Sequence, residues 1–289
     1  ATWVAAIPLT SAGGLNVLTR ALAPGCTYVG VDSLAGARPF TPGGFAAAVD
    51  SALTHGLPVR TSLVPAQVRR LLSESQGIEA LRACATILIG GAELDPSLRS
   101  AAQDKGITLI STYGMTETCG GCIYDGIPLD GVTVSIDSES RVTVGGPSIA
   151  LGYRHQPALT AQHFSDTGFL TSDLGELIDG TLRIIGRNDD VITVNGVNVS
   201  VAAVEAVVRR GANVSDCAVV AIDDPERGSR LIAFVCGENI DIDALGVLVQ
   251  EQLGVAARPR AFTTIEHLPL LPGGKTDRQA LTALARETH

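Results

Sequence analysis

Short apolar runs alternate with stretches of helical spacing over the first 125 residues of the chain. Runs at 4–9, 27–31, 58–62, 85–89 and 108–111 have the length and apolar content of buried strands. Between them, 15–22, 45–55, 65–72 and 96–104 place apolar residues at three- and four-residue spacing, which predicts helices with one buried face. Strand and helix in alternation predict a largely parallel sheet covered by helices.

The pattern changes near residue 131. Segments 132–136 and 141–144 flank Asp137-Ser138-Glu139-Ser140, and 176–178 and 182–185 flank Asp179-Gly180, a strong signal for a type I′ turn. Both predict short antiparallel hairpins. Beyond Gly186 the expected order is helix 201–210, strands 215–222 and 231–236, helix 242–253, strand 261–265 and helix 277–285. The fold class expected is therefore α/β: a mostly parallel sheet domain with a small antiparallel β subdomain, plus a smaller α+β C-terminal domain. The expected boundaries are 1–186 for the large domain (α/β to 130, β subdomain 131–186) and 187–289 for the small one. The division falls at the charged Arg187-Asn188-Asp189-Asp190.

Composition narrows the function. The apolar fraction is 45% but aromatics are only 4%, so the core must be aliphatic. A formal net charge of −9 argues against nucleic acid, whose phosphates require clustered Lys and Arg. No apolar run reaches the ~18 residues of a membrane-spanning helix. Six scattered cysteines in 289 residues fit reduced thiols of the cytoplasm better than a disulfide framework. Cys119 and Cys122 have metal-site spacing but no companion pair, and a tetrahedral zinc needs four ligands. Two incidental thiols are the simpler reading.

The densest chemistry lies in Ser111-Thr112-Tyr113-Gly114-Met115-Thr116-Glu117-Thr118. It follows an apolar strand, so it is expected at a carboxyl-terminal sheet edge, where open α/β sheets bind ligands. Tyr113 offers a flat ring for a purine, and Gly114 permits close backbone approach. The Thr116 hydroxyl suits a phosphate oxygen, and the Glu117 carboxylate suits a hard cation such as Mg2+. An ordinary strand-to-loop turn would have the same residues. Three more motifs follow: Thr171-Ser172-Asp173-Leu174-Gly175-Glu176, Gly186-Arg187-Asn188-Asp189-Asp190 and Pro272-Gly273-Gly274-Lys275. A carboxylate such as Asp173 recognises ribose hydroxyls, although an exposed turn acid is the alternative.

Taken in order, the four motifs resemble those of the AMP-forming, adenylate-producing superfamily of acyl-CoA ligases, luciferases and adenylation domains. The resemblance runs from about Trp3 to the last helix. It implies a nucleotide site of Gly90, Gly91, Ala92, Tyr113, Gly114, Met115, Thr116, Asp173 and Arg187. It also implies Glu117 as the metal ligand, and Lys275, Thr116 and Glu117 as catalytic residues. Asp189 is implied as a domain hinge, and Gly196 as the glycine over which the pantetheine arm of CoA threads. The cofactors implied are ATP, Mg2+ and CoA.

Departures from the pattern are specific. A lysine common before the glycine segment is Thr193, and the usual Pro-x-Glu-Ile-Glu reads Val201-Ala202-Ala203-Val204-Glu205, which makes CoA use less secure than adenylation. One or two histidines expected after Pro8-Leu9 are Thr10 and Ser11, and the family's phosphate loop ending in Pro-Lys-Gly is not found. The loop is expected upstream of Ala1.

Within the superfamily, segment 61–72 with its Ser-Leu-Val-Pro-x-Gln and the tail Gly274 to Leu281 resemble the o-succinylbenzoate–CoA ligases of menaquinone biosynthesis. That resemblance implies a small-molecule carboxylate partner, o-succinylbenzoate, whose second carboxylate needs a cation or several donors. Leu63, Gln67, Arg70 and Gly114 are the candidates for contacting the acid, with a solvent-facing Arg70 as the alternative. A homodimer is compatible with these features. Three other readings stay open: a ligase for another aryl or fatty acid, an adenylation domain loading a carrier protein, and an inactive nucleotide-binding relative without the phosphate loop.

Overall fold

A computed structural model describes residues 1–34, 38–224, 228–271 and 276–289, together with the backbone but not the side chain of residue 189. Pro272-Gly273-Gly274-Lys275 lies outside the described residues.

The first sheet comprises β1 (Thr2–Ala5), β2 (Thr27–Gly30), β3 (Val59–Leu63), β4 (Thr86–Ile89), β5 (Ile110–Met115), β6 (Gly120–Tyr124) and β7 (Ile127–Pro128), in the order β2-β1-β3-β4-β5-β6-β7. Pairing is parallel from β2 through β5 and antiparallel from β5 to β7. Its connections carry α1 (Ala12–Ala21), α2 (Pro42–Leu53), α3 (Pro65–Leu72), α4 (Ser75–Ala83) and α5 (Pro96–Gln103). The larger core packs Phe45, Val49, Leu63, Leu71, Leu81, Ile89 and Leu109 from strands and helices together. Trp3, Val17 and Leu88 form a second cluster with α1. Helices α2, α3 and α5 begin with Pro, which is pre-set to helical φ and lacks an N–H that the first turn would leave unpaired. Thr41 and Asp95 cap two of them.

The second sheet holds β8 (Thr133–Ile136), β9 (Arg141–Gly145), β10 (Phe164–Ser165), β11 (Gly168–Ile178) and β12 (Thr181–Arg187), with α6 (Pro157–His163) before β10. Asp179 (φ 50°) and Gly180 (φ 78°) make the expected left-handed turn between β11 and β12. The third sheet holds β13 (Val191–Val194), β14 (Val197–Ser200), β15 (Asp216–Asp224), β16 (Gly228–Cys236) and β17 (Ala261–Thr264). The helices α7 (Val201–Arg209), α8 (Ile242–Leu253) and α9 (Arg278–Thr288) accompany it. Its two faces bury separate clusters, one around Val204, Val219 and Leu245 and the other around Ile232, Phe234 and Leu281.

Four expectations are corrected. The 111–118 motif does not begin beyond a strand end, because β5 runs through it to Met115 and folds back as β6. Gly114 makes this possible: a Cβ there would collide with the Gly120 carbonyl across the hairpin. The first strand stops at Ala5 rather than residue 9, where Pro8 and the Ser11 cap of α1 take over. A hairpin, β13–β14, precedes α7, and its Asn195-Gly196 tip has φ of 50° and 78°. Finally, the cap of α9 is Asp277, which accepts from the Ala280 N–H at 3.0 Å, so the helix starts at Arg278, one residue later than expected. Helix α4 has no counterpart among the expected helices.

Candidate nucleotide site

Strand β4 delivers Gly90 beside β5. The Gly90 N–H donates to the Leu63 carbonyl at 3.1 Å, and the Thr112 hydroxyl donates to the Ile89 carbonyl at 3.0 Å. A Cβ on Gly90 would lie 2.8 Å from Thr112 Oγ1, so the close strand contact requires glycine. Gly91 has φ 81°, and Gly91 and Ala92 are exposed beyond the end of β4.

Tyr113 is half-buried and reaches the second sheet. Its hydroxyl donates to Asp173 Oδ2 at 2.6 Å across 60 residues of sequence. Burial first, and the Asp173 carboxylate second, push the phenol well above its ordinary range, so it remains a donor. Asp173 is only 7% exposed. Its main-chain N–H donates to Thr171 Oγ1 at 3.0 Å, and the fully buried Thr171 hydroxyl donates to the Val142 carbonyl at 2.8 Å. Arg187 is the cross-strand partner of Asp173 on β12, and its Nη1 lies 3.4 Å from Asp173 Oδ1. A buried carboxylate is thus paired and oriented.

After β5, a short 3-10 turn holds Thr116–Thr118. The buried Thr118 hydroxyl donates to Gly120 O at 2.8 Å and accepts from the Met115 N–H at 2.9 Å, which fixes the turn. Thr116 is exposed and Glu117 half-buried. Glu117 Oε1 accepts from the Tyr153 hydroxyl at 2.7 Å, and no cation pairs with this carboxylate among the described residues. Helix α1 supports the turn from the other side, with Asn16 Nδ2 donating to the Cys119 carbonyl at 2.8 Å.

The geometry sets Gly90 against Thr112 and joins Tyr113, Asp173 and Arg187, with Gly91 and Ala92 following Gly90, and Gly114, Met115, Thr116 and Glu117 following Tyr113, along the chain. Leu63 touches Gly90 through its main-chain carbonyl. Leu63 is 1% exposed inside the main core. Both ends of the Gln67 amide are committed, Nε2 donating to Ala6 O at 2.8 Å and Oε1 accepting from the Val64 N–H at 3.0 Å. Arg70 is exposed and donates to Phe40 O at 2.7 Å. Gly196 sits at a hairpin tip with open space around it, beside a groove of about 550 Å3 lined by Asn195, Arg230, Arg258 and Arg260. The backbone of Asp189 forms part of a 3-10 turn after β12; Lys275 is outside the described residues. Cys119 is exposed and Cys122 buried, so the two thiols face different surroundings.

Sequence reasoning missed Tyr153 and the locking role of Thr171. A tyrosine after Gly152 in an irregular segment carries no periodic signal. Thr171, which opens the Thr171-Ser172-Asp173 motif, lay inside a segment already singled out.

No group of three or more His, Cys, Asp or Glu able to hold a metal occurs among the described residues. A lone carboxylate fits Mg2+, which keeps waters and takes phosphate oxygens, and does not fit an all-protein cage.

The sequence matches AMP-binding enzyme over residues 3–153 and AMP-binding enzyme C-terminal domain over 203–275. A probable 2-succinylbenzoate–CoA ligase of Mycobacterium tuberculosis is 35% identical over 97% of this chain and 73% of that protein. Among solved structures, the amide bond synthetase McbA of Marinactinospora thermotolerans has a TM-score of 0.82 at 26% identity, covering 98% of this chain and 61% of that one. A single-residue variant of E. coli MenE with bound OSB-AMS has the same TM-score and identity, covering 100% and 61%. The chain thus spans about three quarters of the mycobacterial relative and about three fifths of the two solved chains. Motif order, fold and sequence match agree, and the chain belongs to the AMP-binding enzyme family, the AMP-forming acid–CoA ligases.

Proposed function

We propose that this chain forms the adenylate-binding and acyl-transfer part of an o-succinylbenzoate–CoA ligase. Enzymes of the family use ATP with Mg2+ and CoA. The observation that carries the nucleotide reading is the junction of Tyr113, Asp173 and Arg187, where a half-buried ring, a buried carboxylate and a guanidinium meet, one residue along β5 from the Thr112 that touches Gly90. In this reading Gly90, Gly91 and Ala92 lie along the adenine and Asp173 accepts from the ribose hydroxyls. Arg187 both holds Asp173 and faces the phosphate side. Gly114 and Met115 shape the wall between the nucleotide and the acid.

Bringing a carboxylate against the α-phosphate sets two anions together, so the barrier falls when positive charge and donors stand where negative charge concentrates. Glu117 would hold Mg2+, which when bound neutralises phosphate charge. The Thr116 hydroxyl donates to a phosphate oxygen, and Lys275 supplies an ammonium to the bridging oxygens. Pyrophosphate then leaves and the acyl adenylate remains. The thiol of CoA next attacks the carbonyl carbon, AMP departs, and the thioester forms. For that second step the 187–289 unit rotates about Asp189 and takes Lys275 away. Gly196 then admits the pantetheine arm, and the Arg230, Arg258 and Arg260 groove offers cations to the CoA phosphates.

Support for the acid comes from the relative named probable 2-succinylbenzoate–CoA ligase. Arg70 is the cation proposed for the second carboxylate. Leu63 and Gln67 serve that subsite through the main chain that they fix. A cytoplasmic location and a homodimer belong to the same proposal, the latter checked by light scattering. ATP–pyrophosphate exchange with a panel of acids tests the substrate. Exchange driven by o-succinylbenzoate at least tenfold above benzoate and fatty acids is expected; exchange driven best by another acid overturns the substrate, and exchange with none overturns the ligase.

A further inference from the structure

The Glu117 carboxylate hangs from a turn whose backbone is fixed by Thr118, yet a glutamate side chain keeps three rotatable bonds. Freezing such a chain costs conformational entropy. The segment before α6 restrains it from two directions. The Ala150 N–H donates to the Glu117 carbonyl at 2.8 Å, and the Tyr153 hydroxyl donates to Glu117 Oε1 at 2.7 Å. Tyr153 is itself held. Its N–H donates to Thr160 Oγ1 at 2.9 Å, and its ring stands edge-on to Phe164 (5.4 Å between centroids) and His163 (6.4 Å). Phe164 packs in turn on the buried Phe169 at 4.9 Å. Phe169 belongs to β11, the strand that carries Asp173.

We infer that Tyr153 is a positioning residue that holds the Glu117 carboxylate ready for the divalent cation of the nucleotide. The inference rests on the reading of Glu117 as metal ligand. A phenol donating to one oxygen leaves the other oxygen and its lone pairs for a cation. It also fixes the rotamer before the cation arrives, as partners behind metal ligands generally do. Because the aromatic clamp is rooted on β11, the two carboxylates of the site, Glu117 and Asp173, are held in one frame.

The test uses Mn2+ as probe in the full chain, titrated by electron paramagnetic resonance with a non-hydrolysable ATP analogue, and AMP binding without metal as control. Tyr153→Phe keeps the ring and removes only the donor. The Mn2+ dissociation constant is expected to rise tenfold to a hundredfold, while that for metal-free AMP moves less than twofold. If Glu117→Gln weakens Mn2+ and Tyr153→Phe does not, the inference falls and the metal assignment survives. If neither variant weakens Mn2+, both fall. Equal weakening of Mn2+ and AMP by Tyr153→Phe would mark Tyr153 as merely structural and overturn the inference.

Discussion

Asp173 is the residue whose surroundings say most about what it does. A carboxylate at 7% exposure is costly unless its oxygens are partnered, and Tyr113 and Arg187 each take one. A charge-assisted hydrogen bond is worth ~1.5–3 kcal/mol. Asp173→Ala should therefore weaken AMP about tenfold to a hundredfold in a calorimetric titration; an unchanged affinity would remove the ribose assignment. The motif aspartate stood out in the sequence, but its partner did not, since nothing local links Tyr113 to a residue 60 positions away. The cysteines make a second prediction at this scale. Burial pushes Cys84 and Cys217 from 9.0 up to about 12. Unfolded, these thiols ionise near 9.0, whereas folded they hold their protons. Their contribution to stability is thus fully present below about pH 9 and drains away as pH rises toward about 12. Serine at both positions should flatten that alkaline decline in chemical denaturation curves, and a decline unaltered by the pair would contradict it.

Among elements, those with strong periodicity were readable and those defined by partners were not. α3 and α8 begin and end where their apolar spacing places them, at Pro65–Leu72 and Ile242–Leu253. α4 was unreadable because only Gly77, Ala80 and Leu81 of its nine residues are buried, and Glu74 caps it without a side-chain bond. The β13–β14 hairpin was different: Asn195-Gly196 between alternating residues is a strong local signal, overshadowed by the reading of Gly196 as a channel residue. Since Gly196 has φ 78° and open space around it, Gly196→Val strains the backbone by ~1–2 kcal/mol without a clash. The expected outcome is a raised KM for CoA in thioester formation with pyrophosphate exchange unaffected; loss of both half-reactions together would argue against a CoA role. α9 is anchored by Arg278, whose Nη2 meets Glu205 Oε2 at 2.7 Å and whose Nη1 donates to Val219 O at 2.7 Å. Glu205 also holds Arg209 and the Val219 N–H. Glu205→Ala should destabilise by more than the ~1 kcal/mol of a surface pair but less than the ~3–5 kcal/mol of a fully buried one, because Arg278 is 44% exposed. Urea unfolding measures it.

For the whole molecule, the proposed mechanism puts two kinds of cation under separate control. Tyr113 and Asp173, the proposed nucleotide contacts, stand on the first two sheets, whereas in sequence Lys275 comes after the third sheet and before α9, whose start Arg278 ties to α7 and β15. The change in hydrophobic pattern after Gly186 coincides with separate buried clusters on the first and third sheets. In the proposed mechanism, a lysine on a swivelling unit would serve one half-reaction and leave for the other. Lys275→Ala should accordingly reduce pyrophosphate exchange ~10²–10³-fold, while thioester formation from a preformed acyl adenylate stays within a few fold; equal losses in both would remove the two-position account. The central claim, that the nucleotide lies where the first two sheets meet, is tested most directly by a crystal structure with a hydrolysis-resistant o-succinylbenzoyl adenylate analogue. The ribose hydroxyls should be within hydrogen-bonding distance of Asp173, with the adenine against Tyr113 and the Gly90-Gly91 turn. An analogue bound away from Asp173 and Tyr113 would contradict the account.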